Sequence, residues 1–445
     1  MATTYLTRTT TAGTPTNSKK NTLSVWLKRS GLGAATFFNG GTNDQNQNFI
    51  NFNPNDKIYI QNSTSNSNNL IFTTTQVFRD TSAWYNIILA IDTTQATNTN
   101  RVKLYVNGVQ VTAFDTATYP ALDAEIEWNK SGATIEIGKY PFDSSGYAVY
   151  NGSMSHFNFI DGTQELPTAF GETDSTTGEW KIKTSLSVTY GNNGFFILKD
   201  GNSVTDQSGE GNNFAVTAGT LTNTEDCPDN VFCTINPLDN YWQGSTFANG
   251  NNTVTTGSNS TTYNTTSFMM ATGKFYAECK VISGAAGNQI GVGSNLTASV
   301  SASLGTGGEG FVYKENGYYE TGGSAVSFGD AYVNGDIIGV ALDVTSATPQ
   351  LYFSKNGVFQ GSGNPSAGTG GKSITAVAST TIGAYFFGFC DTATDNTRVH
   401  GWNFGNGYFA TTAVASAGTN ASSNGVFEYD VPANFTALST KGLNL

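Results

Sequence analysis

Apolar and polar residues alternate along most of this chain in short runs with a period of two, the pattern of strands that bury one face. Leu23-Ser-Val-Trp-Leu-Lys28, Lys57-Ile-Tyr-Ile-Gln61 and Val102-Lys-Leu-Tyr-Val106 read this way, and Phe49-Ile-Asn-Phe52, Leu70-Ile-Phe72, Ala133-Thr-Ile-Glu-Ile-Gly138 and Gly152–Ile160 add further strands. Trp84-Tyr-Asn-Ile-Ile-Leu-Ala-Ile91 is more continuously apolar, as a central strand buried on both faces should be. Asn107-Gly108 stands between two alternating runs and predicts a tight hairpin, because a type I′ turn needs positive φ at both central residues.

The same logic returns in the second half. Phe275-Tyr-Ala-Glu-Cys-Lys-Val-Ile282, Gln289–Gly293, Gly310–Tyr313, the apolar run Asp336–Asp343, Leu351–Ser354, Ala384–Phe389 and Gly401–Phe404 are its strands. A local parallel links the halves. Ile91-Asp-Thr-Thr leads to Leu104-Tyr-Val-Asn-Gly-Val109, and Leu342-Asp-Val-Thr leads to Leu351-Tyr-Phe-Ser-Lys-Asn-Gly-Val358. Both read as a central strand, a polar turn and a strand entering an Asn-Gly hairpin, which implies shared sandwich topology. The stretch from Asp161 to Thr272 carries shorter strand-like pieces, and Gly244–Thr266 reads as a long loop or an edge hairpin pinned by Phe247, Val254 and Tyr263. The expected fold is all-β: antiparallel sandwiches over 1–165 and 241–445, joined by a β-rich connector over 166–240.

Composition agrees with that class. Gly is abundant (51), Pro is sparse (10), aromatics reach 12% and charged residues only 12%. A formal net charge of −12 argues against a surface that tracks nucleic-acid phosphates. The 445 residues contain no apolar run long enough to span a membrane. Met1–Ala12 lacks the apolar stretch of a signal peptide, so synthesis in a cytosol and exit by lysis or within a particle are expected. Cys227, Cys233, Cys279 and Cys390 fit no zinc spacing; the first two could bridge a short loop or, like the others, be buried free thiols.

The first half resembles a LamG-like, concanavalin-A-type sandwich through Leu23–Lys28, Trp84–Asp92, Lys103-Leu-Tyr-Val-Asn-Gly108, Ile135-Glu-Ile-Gly138 and Tyr150–Ser155. The second resembles a SPRY domain through Gly273–Val281, Ile290-Gly-Val-Gly293, Gly335–Asp343 and Leu351–Val358. Tyr5–Thr9, Asn21–Arg29, Phe170–Trp180, Tyr190–Phe196, Asp206–Asn213 and Thr234–Asp239 make nearly the whole chain similar to structural proteins of marine, podovirus-like tailed phages. That resemblance implies a virion location, other virion proteins as partners and a homo-oligomer.

Sandwiches of the concanavalin A type also include glycan hydrolases, so carboxylate pairs matter. Asp123, Glu125 and Glu127 alternate and would share a face if they lay on a strand. Their order departs from the Glu-x-Asp-x-x-Glu of the sandwich glucanases, and an exposed acidic strand or loop is the simpler reading. His156 and His400 lie in different halves and read as local hydrogen-bonding residues. Asp206-Gln-Ser-Gly-Glu-Gly-Asn212 is oxygen-rich; Asp206 and Glu210 are its candidate calcium ligands, against an ordinary turn. Gly305–Gly308 and Gly368–Ser373 read as turns, the latter despite ending in Gly-Lys-Ser. Candidate ligand- or partner-binding residues are the loop aromatics Tyr140, Tyr147, Tyr150, Tyr318 and Tyr319, since tyrosine offers flat apolar area with a polar edge; core packing is their alternative. The expected function is non-catalytic: decoration of a particle surface by protein docking, with host glycan or protein as a further ligand and no cofactor. A receptor-binding tail appendage and a glycan hydrolase are the competing readings.

Overall fold

The computed structural model describes residues 4–10, 14–140, 149–239, 244–257, 261–295, 303–393 and 397–444. The chain forms two compact units, 1–223 and 224–445. Both are built of sheets whose strands pair antiparallel apart from one parallel pair in the second unit, and the described residues contain short 3-10 turns but no α-helix.

The strands of the first unit are Tyr5–Thr9 (β1), Lys20–Arg29 (β2), Ala35–Asn43 (β3), Asn46–Phe52 (β4), Lys57–Thr64 (β5), Ser67–Val77 (β6), Trp84–Asp92 (β7) and Val102–Val106 (β8). Then follow Val109–Gln110 (β9), Phe114–Thr118 (β10), Thr134–Ile137 (β11), Gly152–Asp161 (β12), Gly171–Thr173 (β13), Trp180–Ile182 (β14), Phe195–Ile197 (β15) and Ala215–Ala218 (β16). An eight-stranded sheet has the order β10-β6-β5-β4-β3-β11-β1-β16, and a six-stranded sheet the order β15-β12-β2-β7-β8-β9. Their inner faces meet in one core that includes Leu23, Phe38, Ile60, Phe72, Leu89 and Ile135. In β3 the register shifts between Thr36 and Phe38. This bulge lets Phe37 and Phe38, consecutive in sequence, both enter the core. Trp128 fills the same core and donates its indole N–H to Asn21 Oδ1 at 3.1 Å. Gly40 is required beneath it, because a Cβ there would lie 2.5 Å from that of Trp128.

The second unit comprises Thr246–Ala248 (β17), Thr253–Thr255 (β18), Thr262–Thr265 (β19), Lys274–Ser283 (β20), Asn288–Gly293 (β21), Gly310–Lys314 (β22), Tyr318–Thr321 (β23), Ser324–Ser327 (β24) and Ile337–Asp343 (β25). It continues with Gln350–Lys355 (β26), Val358–Phe359 (β27), Lys372–Ser373 (β28), Phe386–Asp391 (β29), Val399–Asn403 (β30), Tyr408–Phe409 (β31), Thr412–Ala413 (β32) and Thr436–Ala437 (β33). One sheet runs β17-β18-β30-β20-β25-β26-β27, with β28 on β26 and β33 on β20; the other runs β19-β29-β21-β22-β23-β24. The β17–β18 edge hairpin expected from Gly244–Thr266 is present, with Val254 in the core.

The parallel between the halves extends to atoms. The order β12-β2-β7-β8-β9 in one unit matches β30-β20-β25-β26-β27 in the other. Lys20 pairs with Asp92 at 3.3 Å and Lys274 with Asp343 at 2.8 Å, across equivalent strand ends. Each aspartate then accepts the N–H and hydroxyl of the threonine two residues on, Thr94 or Thr345. Both Asn-Gly turns have positive φ, at Asn107 and Gly108 and at Asn356 and Gly357. An aromatic ring lies against each glycine: a Cβ would come within 2.5 Å of Trp180 at Gly108 and 2.6 Å of Tyr429 at Gly357.

The segment read as a connector is divided between the units. β15 pairs with β12 and β16 with β1, so residues up to 218 extend both sheets of the first sandwich. Phe232, in turn, enters a cluster with Tyr276, Phe427 and Phe435 in the second. All four cysteines are unbridged, with Cys227 half-buried and the other three buried.

That cluster lies on the outer face of the β20 sheet, under the C-terminal segment, and includes a buried carboxylate. Glu278 accepts the backbone N–H groups of Glu428 and Tyr429 at 2.9 Å, the Tyr276 hydroxyl and the Asn403 amide. Burial nonetheless pushes its carboxyl up to about 7, the hydrogen bonds pulling the other way. A carboxyl that titrates higher folded than unfolded contributes stability below its unfolded value, and that contribution is lost as pH rises through the folded value. Urea unfolding should therefore show the wild type losing on the order of 3 kcal/mol relative to Glu278→Gln between pH about 4.5 and about 7. Parallel pH profiles for the two proteins would contradict the assignment.

Candidate functional site

In the eight-stranded sheet of the first unit, Ile50, Phe52, Ile58, Ile60, Leu70 and Phe72 point into the core. The residues between them therefore stand on the outer face. Register aligns these into rows perpendicular to the strands. One row runs Thr7–Glu136–Asn39–Phe49–Gln61–Ile71–Thr118. The next runs Thr36–Asn51–Tyr59–Thr73–Thr116. Direct cross-strand neighbours lie about 5 Å apart, so each row is a continuous strip of side chains.

The strip is amide- and hydroxyl-rich around an aromatic centre. Phe49 lies 5.7 Å from the Tyr59 ring and 4.9 Å from Tyr140, which meets it edge-on. The Tyr59 hydroxyl donates to Gln61 Oε1 at 2.6 Å, and Gln61 Nε2 donates to Ser63 Oγ at 2.8 Å, which fixes both side chains along β5. Tyr59, Gln61, Ile71 and Thr73 are half-buried, whereas Thr116 and Thr118 are exposed. Deeper in the strip, the Asn51 amide, Asn39 Oδ1 and Thr36 Oγ1 are buried without a hydrogen-bond partner. Phe49, Asn39, Asn51 and Thr36 are buried, so the accessible part of the rows is the half-buried Tyr59, Gln61, Ile71 and Thr73 with the exposed Thr116 and Thr118, an aromatic ring beside amide and hydroxyl groups of the kind that polyhydroxylated ligands use.

Glu136 stands in the first row. Asn39 Nδ2 donates to Lys139 O at 2.7 Å and reaches Glu136 Oε2 only at 3.4 Å. Lys139 directs its ammonium over the Tyr5 ring, 4.4 Å from the centroid. Burial raises the Glu136 carboxyl, while the Asn39 contact and the Lys139 charge oppose it.

The loop aromatics singled out by sequence have other surroundings. Tyr140 is buried and donates its hydroxyl to Gln47 Oε1. Tyr150 is also buried, donating to Lys28 O at 2.9 Å. Tyr319 is buried against Phe328, with the Lys372 ammonium 5.2 Å from its ring. Of this group Tyr318 is the exposed one, at 40%, and Tyr147 lies outside the described residues. Three of these rings are thus packed within the fold, the alternative that their size favours.

The acidic trio is not on a strand. Asp123 has a left-handed backbone, and Glu127 opens a 3-10 turn over Glu127–Asn129. Lys130 bridges Glu125 at 3.4 Å and Glu127 at 2.8 Å, and buried Glu127 also accepts the Thr64 hydroxyl. One ammonium between the two carboxylates replaces the open groove that an alternating strand would have given. His156 bonds Ser155, and His400 accepts from Asn288 Nδ2 at 2.8 Å; burial pushes them down to about 4 and about 3, which keeps both neutral. Gly368 and Gly370 have positive φ and lead into β28, so the Gly-Lys-Ser segment is a turn and a strand.

At the calcium candidate, Asp206 Oδ1 accepts from the Phe196 and Ser208 N–H groups, and Oδ2 from Ser208 Oγ and the Asn212 N–H. Asn212 Oδ1 in turn receives Arg8 Nη2. The carboxylate closes a turn with four donors, while Glu210 is exposed. No group of three metal-ligating side chains occurs among the described residues. Asp206→Ala should lower stability by roughly 2–3 kcal/mol through orphaned buried donors. With the turn closed by these hydrogen bonds alone, EDTA should leave the wild-type melting midpoint unchanged; a drop on chelation would place calcium in this turn.

Residues 2–165 match the family model described as the Concanavalin A-like lectin/glucanases superfamily. Among solved structures the chain is similar to the SPRY domain of human HERC1, at 17% identity over 38% of this chain and 96% of that one, with a TM-score of 0.29. It is similar to a heptameric SAP-like pentraxin from Limulus polyphemus, at 14% identity over 36% and 71%, with a TM-score of 0.27. A third is domain 4 of an extracellular GH43 arabinanase from Geobacillus stearothermophilus, solved with arabinotriose: 16% identity, 34% and 64% covered, TM-score 0.25. No curated protein matches the chain.

Proposed function

We propose that this chain is a non-catalytic surface protein of a tailed-phage particle, and that its first sandwich binds glycan on the outer face of the eight-stranded sheet. The observation that carries the glycan reading is the pair of cross-strand rows, in which the half-buried Tyr59 and Gln61 stand beside Thr73, Thr116 and Thr118. The match of residues 2–165 to a lectin and glucanase superfamily supports the same reading. The particle setting rests on the sequence resemblance of Tyr5–Thr9, Phe170–Trp180 and Asp206–Asn213 to phage structural proteins. The second sandwich, with exposed Tyr318, Val326 and Val358, serves docking to other particle proteins.

Two measurements test this. On a glycan array the wild type should bind a subset of glycans, and Tyr59→Ala should weaken that binding about tenfold or more, because it removes both the ring and the anchor of Gln61. Unchanged binding by the variant would move the site off this face. Antibody labelling of intact particles should show the protein on the outside, many copies over the head for decoration or a few at the tail for receptor binding; its absence from particles would refute the virion assignment.

A further inference from the structure

We infer that Glu136 sets the specificity of the outer face, selecting a neutral glycan segment with adjacent hydroxyls and rejecting anionic sugars; this rests on the glycan-binding reading above. Glu136 is the one carboxylate in the two rows. It is recessed, only 7% exposed. A carboxylate offers about four acceptor positions, yet the hydrogen bond Glu136 receives is a single long one, 3.4 Å from Asn39. The nearest cation does not neutralise it by contact, because the Lys139 ammonium is directed over Tyr5.

A recessed carboxylate is stabilised by donors brought to it. Two neighbouring sugar hydroxyls can donate to its two oxygens together, as a bidentate pair. Beside it in the row, Asn39 Oδ1 is a second acceptor, itself buried and without a hydrogen-bond partner. A uronate, sulfate or phosphate in that position would bring a second negative charge against Glu136 where water is largely excluded, and the net charge of −12 opposes such ligands at longer range. The partner that fits is therefore uncharged and rich in hydroxyl donors.

The test is binding of the full chain to neutral oligosaccharides (cello-, laminari-, xylo- and mannohexaose) and to a galacturonate hexamer, by calorimetry. At least one neutral hexamer should bind and the galacturonate should not. Glu136→Gln should weaken the neutral ligand about tenfold or more, the loss expected for a hydrogen bond to a charged group. Glu136→Lys should bind the galacturonate hexamer, a gain that misfolding cannot produce. Neutral binding left intact in Glu136→Gln, or a wild-type preference for galacturonate, overturns the inference while the glycan reading stands. Failure of the wild type to bind any hexamer overturns both.

Discussion

A pleated strand has two faces, and burying one commits the other. In the first sandwich this constraint fixes everything that follows. Ile50, Ile60 and Phe72 must face the core, so Phe49, Gln61 and Ile71 must face outward in a single row. A slip of one residue in any strand would turn its core residues to the outer face and its outer-face residues into the core. The bulge at Phe37 absorbs an extra core residue without passing that slip on: Thr36 remains opposite Asn51 and Asn39 opposite Phe49. The outer face is thus the complement of the core, specified by the same register.

The two sandwiches share one five-stranded frame and differ in the sheet opposite. Lysine–aspartate pairs, aspartate–threonine turns and ring-capped Asn-Gly hairpins recur at equivalent places. In the second unit, the outer face of the other sheet carries Tyr263, Val312, Phe386 and Cys390, sealed by Leu304. In the first unit the corresponding face carries amides, hydroxyls and Glu136. The frame is repeated between the units, whereas the outer face of the opposite sheet is not.

Much of the frame was legible in the sequence because it depends on local rules. The Asn-Gly turns need positive φ, and the long strands show their period without help. β15 and β16 were legible only as fragments, since three or four residues carry little period and their pairing partners lie far away in sequence. Alternation alone does not make a strand: Asp123, Glu125 and Glu127 have a strand's spacing in a segment that turns, the loop of the simpler reading, with Glu127 buried in it. The loop tyrosines looked like ligand contacts, but Tyr140, Tyr150 and Tyr319 spend their rings on packing. Glu136 was visible as a charge between two isoleucines, which places it opposite the core. Its neighbours Asn39 and Thr7 come from strands more than ninety positions away, so the strip became apparent only with the strand order.

The position of β1 bears on how the protein is made. This strand lies between β11 and β16, whose residues are translated more than a hundred positions later. During synthesis this strand therefore leaves the ribosome well before either neighbour, and until they arrive both of its edges are open. The loop that its docking must close is long, which makes this step entropically expensive and slow. β1 is the clasp of the first sandwich, made long before the strands that hold it.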